Sequence, residues 1–211
     1  MKTQLNITNW TRKDHFNFFK QFDEPFFGVT IPVDCTNGYT VCKQNNFSFF
    51  LYYLHASLKA ANTIEPFRYR IEGDSVFIFD IINASPTINR PDGTFGFAYI
   101  TYKENVADFA KGAKTEIDKV RGSTGLIPSV TGENVIHYSS LPWINFTSLS
   151  HARSFSFKDS IPKISFGKMT ETNGTRSMPV SIHVHHGLMD GYHVAQFIEL
   201  FQQNMNSDPD L

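Results

Sequence analysis

Residues 47–61 are apolar almost all round, and this stretch places the strongest constraint on the fold. A helix without a polar face has to be covered on every side by other elements. Its most apolar part, residues 47–58, is too short to span a bilayer and is interrupted by His55. We therefore predict a helix that lies buried inside a globular domain.

The composition allows a large core to surround such a helix. The chain has 211 residues, of which 41% are hydrophobic and 18% are charged, and 21 are phenylalanine. Disordered chains are poorer in apolar side chains, so these values indicate a folded protein. The sequence contains no internal repeat and no linker-like tract, and we expect a single domain over residues 1–211.

Charge and composition exclude several classes of partner. The 19 basic and 20 acidic residues give a formal net charge of -1, with no basic patch that would suit nucleic acid or an anionic membrane. The first residues lack the apolar run of a signal peptide, so we expect a soluble, cytoplasmic protein. Cys35 and Cys42 are then expected to be reduced thiols.

Turn signals and apolar spacing indicate an α+β sandwich. Gly73-Asp74 and Asn173-Gly174 each predict a hairpin turn, and the spacing over 106–120 predicts a helix that Gly122 ends. Strands are predicted over 26–33, 67–71, 76–79, 94–102, 135–138, 143–149, 164–169 and 180–186, and further helices over 11–22 and 192–205. Strands joined mostly by hairpins, with helices between them, are typical of this class.

The segment SIHVHHGLMDG, residues 181–191, carries the chemistry. Side chains alternate along a strand, so Ile182, Val184 and His186 share one face. His183 and His185 share the other. His186 lies where the strand ends, and partial burial there favours the neutral imidazole that a general base requires. The alternative is a half-buried histidine with only a structural hydrogen bond.

Two further interpretations of this segment stay open. Asp190 precedes the last helix and is a preferred N-cap residue. His183 and His185 have a spacing that suits a zinc pair, but no cysteine or acidic residue lies at a matching spacing. A closed zinc site needs four ligands, so the sequence favours a site without metal.

The pattern His186-x-x-x-Asp190-Gly191, preceded by His185, resembles the active-site motif of the chloramphenicol acetyltransferase family. Three other segments resemble motifs of that family, and their order and spacing agree from Trp10 to the C-terminus. They are WTRKDHF at 10–16, PWINFTS at 142–148 and ISFGK at 164–168.

This resemblance implies a fold and a reaction. The fold would be a two-layer α+β sandwich, with a mixed, largely antiparallel sheet, helices packed on one side and a trimeric assembly. Acetyl-coenzyme A would be the co-substrate, and a hydroxyl of chloramphenicol the acceptor. His186 would act as general base and Ser148 would donate a hydrogen bond to the oxyanion. Asp190 would pair with Arg12 and brace the loop that holds the histidine.

The resemblance also places each active site between subunits, with the histidine from one chain and most of the acceptor pocket from its neighbour. Aromatic side chains suit an aryl acceptor, although any single phenylalanine would equally suit plain core packing. The positions that match the pocket are Phe18, Phe19, Phe27, Phe95, Phe97 and Asn145.

The departures from the family pattern all concern the acceptor side. Phe19 stands where a tyrosine is common, Ser165 replaces a threonine that orders a water, and Phe97 replaces a small residue and narrows the pocket. Residues 83–93 match poorly, and Pro86 and Pro91 are expected to break any strand there. Acyl transfer is therefore better supported than chloramphenicol as the acceptor.

Two other functions remain open. One is acyl transfer to a different hydroxyl or thiol, as in dihydrolipoyl acyltransferases. Those chains carry a lipoyl domain and a flexible linker, whereas this sequence begins at the catalytic-domain motif. The other is a binding protein without activity, which the joint presence of His186, Asp190, Arg12 and Ser148 disfavours.

Overall fold

The computed structural model describes residues 1–126, 132–155 and 157–207. The strands there are β1 Lys2–Gln4, β2 Phe26–Asp34, β3 Tyr69–Glu72, β4 Ser75–Phe79, β5 Asn83–Asn89, β6 Phe95–Phe97, β7 Val135–Ser140, β8 Lys163–Phe166, β9 Thr170–Thr172 and β10 Thr175–His185. The α-helices are α1 Lys13–Phe19, α2 Thr36–Gln44, α3 Phe49–Thr63, α4 Val106–Arg121 and α5 Gly191–Asn206. The predicted α+β class is confirmed.

The main sheet has the strand order β2-β10-β8-β7-β5-β6, with β9 also paired to β10. The pairs β8·β7 and β7·β5 are parallel, and the other pairs of this sheet are antiparallel. A second, antiparallel sheet has the order β1-β4-β3. The main sheet is therefore mixed and largely antiparallel, as expected.

The apolar helix lies at the centre of the core, as predicted. Leu54, Leu58 and Ala60 of α3 are fully buried, and the helix packs against α5 and α4. The Ser48 hydroxyl caps the helix by accepting from the N–H of Leu51. One face of the main sheet joins this core through alternate residues, among them Ala84, Ile136, Ile164, Val180, Ile182 and Val184.

The two predicted hairpins form at the expected turns. Gly73 has φ +60° between β3 and β4, and Asn173 and Gly174 have φ values of 51° and 80° between β9 and β10. Asparagine and glycine tolerate this left-handed region, which is why they mark such turns. The predicted helix over 106–120 is also confirmed, with Gly122 as its C-cap residue.

Two strand predictions were wrong. Residues 83–89 form β5 despite Pro86, whose carbonyl accepts from the N–H of Ala98 over 3.0 Å. Proline lacks an N–H, so it leaves a gap in the ladder towards the next segment. That segment is accordingly a strand only over β6, with one isolated bridge at Ile100.

Residues 143–149 form no strand: the N–H of Ile144 donates back to the carbonyl of Leu141 in a turn.

Within the described ranges, no helix has both the length and the apolar character that crossing a membrane would require.

The predicted first helix, over 11–22, is shorter than expected. It begins after Arg12, whose side chain makes no capping hydrogen bond.

Candidate active site

A tight turn joins β10 to α5 and carries His186. The strand ends at His185, whose carbonyl accepts from the N–H groups of Leu188 over 2.9 Å and Met189 over 3.2 Å. The N–H of His186 donates to the carbonyl of Pro25 over 2.8 Å. The backbone of His186 is thus fixed both by its own turn and by the segment that leads into β2.

The His186 ring lies half-buried between two aromatic rings. It is stacked on Phe19, with centroids 4.1 Å apart and planes inclined by 19°, and its centroid lies 4.6 Å from that of Phe27. Its Nδ1 atom lies 3.3 Å from the carbonyl oxygen of Met189. A carbonyl oxygen only accepts, so this contact assigns the proton to Nδ1 and leaves a lone pair on Nε2.

Asp190 joins the helix to Arg12. Arg12 Nη1 donates to Asp190 Oδ2 over 2.6 Å, and Arg12 Nη2 donates to the His186 carbonyl over 3.1 Å. Asp190 Oδ1 accepts from the N–H of Tyr192 over 3.1 Å and lies 2.9 Å from Nδ1 of His193. Burial alone would raise the pKa of Asp190, but Arg12, His193 and the helix N–H outweigh it and lower that pKa. The N-cap and the ion pair are therefore both present.

The neighbouring His185 stabilises the same turn through a hydrogen bond that sequence reasoning missed. It is buried, and its Nδ1 accepts from the N–H of Gly187 over 3.1 Å. A Cβ on Gly187 would lie 3.0 Å from the His185 ring and 3.4 Å from Phe16 Cα. Only glycine therefore fits closely between this ring and α1.

One face of the main sheet packs against the helices in the core. The other face forms the floor of a cavity of about 500 Å³. Phe95, Phe97 and Tyr99 contribute aromatic side chains to its lining, and β5, β7, β8 and the segment that follows β7 supply the polar residues. The polar lining residues are Ser85, Thr87, His137, Ser139, His151 and Lys163.

Two hydroxyls meet in the floor of this cavity. Ser139 Oγ lies 2.6 Å from Ser165 Oγ, because the two residues are paired in register on β7 and β8. Ser165 is fully buried and Ser139 is half-buried and lines the cavity. Sequence reasoning selected Ser165 but missed Ser139, although strand alternation over 135–140 would have placed Ser139 on the same face as His137.

Within one chain, His186 and this cavity belong to opposite faces of the sheet. Val184 is fully buried in the helix-side core, and Phe27, its partner in register, packs against the same core. The His186 ring contacts Phe27 on that side. Ser165 and Ser139 point to the other face, where the cavity lies.

The predicted pocket residues consequently separate into two groups. Phe95 and Phe97 line the cavity. Phe19 and Phe27 contact His186, and Phe18, which is 58% exposed, packs edge-on against Phe19 with centroids 5.1 Å apart.

Ser148 and Asn145 lie in neither group. Both are exposed on the irregular segment that follows β7, and neither is among the described residues that line the cavity. The roles expected for Ser148 and Asn145 concern a site shared between chains, so both stay predictions.

The described residues contain no group of three histidine, cysteine, aspartate or glutamate side chains that could hold a metal ion. His183 and His185, the pair considered for zinc, have different surroundings. His183 packs edge-on against His151 with centroids 4.9 Å apart, whereas His185 contacts Gly187 and Phe26.

Comparison with solved structures identifies the class of protein. One that is called chloramphenicol acetyltransferase superposes with a TM-score of 0.85 at 31% identity, covering 97% of this chain and 100% of its own. A probable dihydrolipoamide acetyltransferase from Listeria monocytogenes shares the fold, with a TM-score of 0.67 at 15% identity over 93% of this chain and 90% of its own. The fold and the family model are those of an acyltransferase.

The sequence comparisons define the family. The family model described as chloramphenicol acetyltransferase matches residues 1–202. Chloramphenicol acetyltransferase 3 of Escherichia coli is 27% identical over 97% of both chains. Chloramphenicol acetyltransferase of Bacillus pumilus is 30% identical over 90% of this chain and 88% of its own. The chain belongs to the chloramphenicol acetyltransferase family.

Proposed function

We propose that this protein transfers the acetyl group of acetyl-coenzyme A to a hydroxyl of chloramphenicol and thereby inactivates the antibiotic. One observation carries the mechanism: Nδ1 of His186 is engaged by the Met189 carbonyl, so Nε2 holds a lone pair on a half-buried ring that Phe19 and Phe27 fix. An imidazole held in this tautomer is poised to accept a proton.

The reaction needs no covalent enzyme intermediate. Nε2 of His186 takes the proton of the acceptor hydroxyl as its oxygen attacks the thioester carbonyl carbon. The tetrahedral intermediate then collapses, the carbon–sulfur bond breaks, and the coenzyme A thiolate leaves and takes the proton back from the imidazolium. General-base assistance of this kind contributes about 10²–10⁴ to the rate.

The oxyanion of the intermediate needs a hydrogen-bond donor, and two serines compete for this role. The family resemblance suggested Ser148, whereas the contacts favour Ser139, which lines the cavity and whose hydroxyl is oriented by buried Ser165. We propose Ser139 as the donor. Ser139→Ala should then lower kcat by about 10²–10³. The matched variant Ser148→Ala decides the assignment, because a larger loss there would return the role to Ser148.

The positions of base and cavity support an active site shared between chains. His186 and the cavity lie on opposite faces of one sheet, so a single bound acceptor would reach both only if they came from different copies. Large apolar side chains are also exposed, as a subunit interface requires. They include Phe18, Trp143, Ile144, Phe155 and Phe157. We propose a homotrimer in which His186 of one chain faces the cavity of its neighbour.

Residues 1–211 would act as one catalytic domain. Elements from distant parts of the sequence support this, since β1 pairs with β4 and α5 packs against α3. In the assembled site, Phe95 and Phe97 would contact the aryl ring of the acceptor. Phe18, Phe19 and Phe27 would shape the side of the pocket next to the base.

A different hydroxyl or thiol acceptor is the second candidate, and the cavity gives it a basis. Its floor carries His137, His151 and Lys163 besides the aromatic wall, so part of the acceptor surface is polar. Dihydrolipoamide is the thiol to compare with chloramphenicol.

A thiol-release assay tests the proposed function. Wild type and His186→Ala are incubated with acetyl-coenzyme A and either chloramphenicol or dihydrolipoamide, and free coenzyme A is measured. We expect release with chloramphenicol in the wild type and a loss of about 10²–10⁴ in the variant. Equal release by both proteins would exclude His186 as the base, and release only with dihydrolipoamide would favour the second candidate.

A further inference from the structure

The face of the main sheet under the cavity carries two parallel rows of side chains that cross the strands, and four members of these rows line the cavity: Ser85, His137, Ser139 and Lys163. Strand pairing places Ser139, Ser165 and Ser181 side by side in the first row. It places Ser85, His137, Lys163 and His183 side by side in the second. The rows are two residues apart along each strand, so they lie about 7 Å apart on the same face.

Two histidines line this part of the cavity: His137 belongs to the second row, and His151 lies on the segment that follows β7. Nε2 of His151, whose ring lies against His183, is buried without a partner. Burial lowers the pKa of His151 to about 4, helped by the nearby His183 and Lys163. Each neutral imidazole keeps one N–H that can donate.

His137 occupies the middle of this row and faces the open cavity. The side chain of His137 is accessible from the cavity. The surrounding protein nevertheless desolvates the ring and lowers its pKa to about 4. The charge of Lys163 also lowers this pKa, and Asp159 opposes the shift. The ring is therefore neutral at pH 7.

Lys163 adds an ammonium group whose charge is already balanced. Its Nζ atom is paired with Asp159 and lies 3.1 Å from the carbonyl of Ile161, and its side chain is only 9% exposed. The row thus offers several N–H donors without a free positive charge. Phe95 and Phe97 lie beside it in the same cavity and provide a surface for a flat ring.

From this arrangement we infer that the cluster of His137, His151 and Lys163 recognises an oxygen-bearing group without protons on the acceptor, such as a nitro, sulfonyl or carboxylate group, about 7 Å from the reacting hydroxyl. Such a group only accepts hydrogen bonds, so the imidazole N–H groups of His137 and His151 can donate to it. This inference rests on the proposed function only in taking the cavity as the acceptor site.

Binding without turnover provides the test. Affinities of chloramphenicol, its methylsulfonyl analogue and its analogue with an unsubstituted phenyl ring are measured calorimetrically in the absence of acetyl-coenzyme A. 4-Nitrobenzyl alcohol, 4-carboxybenzyl alcohol and benzyl alcohol serve as smaller probes. Wild type should bind at least one oxygen-bearing compound about threefold to tenfold more tightly than its unsubstituted partner, as expected for one hydrogen bond.

Two variants at one position separate recognition from folding. His137→Leu removes the donor and should abolish the preference, whereas His137→Gln retains an N–H donor and should keep most of it. Melting curves of both variants report folding. The inference would be overturned if the wild type bound the paired compounds with equal affinity or bound none of them. It would also be overturned if the preference survived in both His137→Leu and His151→Leu. Failure of the proposed function appears separately, as absent thiol release.

Discussion

Arg12 Nη1 lies 2.6 Å from Asp190 Oδ2, and Nη2 of the same guanidinium donates to the carbonyl of His186. One side chain near the start of the sequence therefore holds both the N-cap residue of α5 and the backbone of the proposed base. The side chains of Arg12 and Asp190 are 13% and 35% exposed, so the pair is shielded from water on one side only.

We predict that Asp190→Asn lowers both stability and rate. Asparagine is as good an N-cap residue as aspartate, so the substitution removes the charge but keeps the cap. We expect a loss of about 1–3 kcal/mol in the free energy of unfolding, between the values for exposed and buried pairs. Chemical denaturation and kcat measure the two effects. Wild-type stability together with wild-type kcat would contradict the bracing role.

His185 should act as a positioning residue for His186. Its Nδ1 accepts the Gly187 N–H, and Asn Oδ1 occupies a similar place, so His185→Asn should retain more activity than the similarly sized His185→Leu. The loss in His185→Leu should fall on kcat, with the KM for both substrates little changed, because the ring contacts the turn and not the cavity. Equal kcat in the two variants would argue against this hydrogen bond.

The same histidine predicts a dependence of stability on pH. Burial, with the charge of Arg153, lowers the pKa of His185 from 6.5 to about 4, against the effect of Asp159. As pH falls below 6.5 the unfolded chain takes up this proton before the folded protein does, so the contribution to stability is lost between pH 6.5 and about 4. Denaturation midpoints should fall over that range, and less steeply in His185→Asn. Parallel profiles would contradict the assignment.

Arg70 is predicted to be a structural anchor. Its fully buried guanidinium donates to the backbone carbonyls of Phe67, Tyr69, Glu133 and Val135, and so ties β3 to β7. Arg70→Met would leave these carbonyls unpaired and should cost at least about 3 kcal/mol in the free energy of unfolding.

The control for Arg70 is Arg68→Met, since Arg68 is only half-buried and donates to one carbonyl, that of Phe79. Urea denaturation of both variants decides the point. A loss in Arg70→Met no larger than in Arg68→Met would show that the four contacts add little.

Ser181 should be dispensable for stability. Its hydroxyl is fully buried and has no hydrogen-bonding partner among the described residues, so Ser181→Ala removes a desolvated polar group without breaking a hydrogen bond there. We expect unchanged or slightly higher stability, whereas Ser165→Ala, which loses the bond to Ser139, should cost about 1 kcal/mol. Thermal unfolding compares the two. A larger loss in Ser181→Ala would reveal a partner of this hydroxyl.

The parts of the fold that depend on local pattern could be predicted from the sequence. The apolar stretch that becomes α3, the Asn173-Gly174 hairpin and the junction from β10 to α5 each follow from periodicity or turn chemistry within a few residues. The turn that carries His186 belongs to this group, because alternation along β10 already placed the imidazole at the end of the apolar face.

The cavity could not be predicted in the same way, because it depends on pairing between distant strands. Ser139 becomes a neighbour of Ser165 only through the register of β7 and β8, which no local signal contains. Pro86 misled in the same manner: the proline limits the pairing of the next segment but not its own strand. The surroundings of Ser148 likewise depend on a segment whose apolar alternation suggested a strand but which turns at Leu141–Ile144.

A mixed assembly tests most directly the claim that base and cavity come from different chains. His186→Ala and Ser139→Ala chains, each nearly inactive alone, are coexpressed in equal amounts, and thiol release with chloramphenicol is measured on the purified assemblies. If each site combines neighbouring copies at random, about a quarter of the sites contain both intact residues, and activity should return to roughly that fraction of wild type. Activity no higher than that of the separate variants would mean that His186 and Ser139 act within one chain, and would contradict the account.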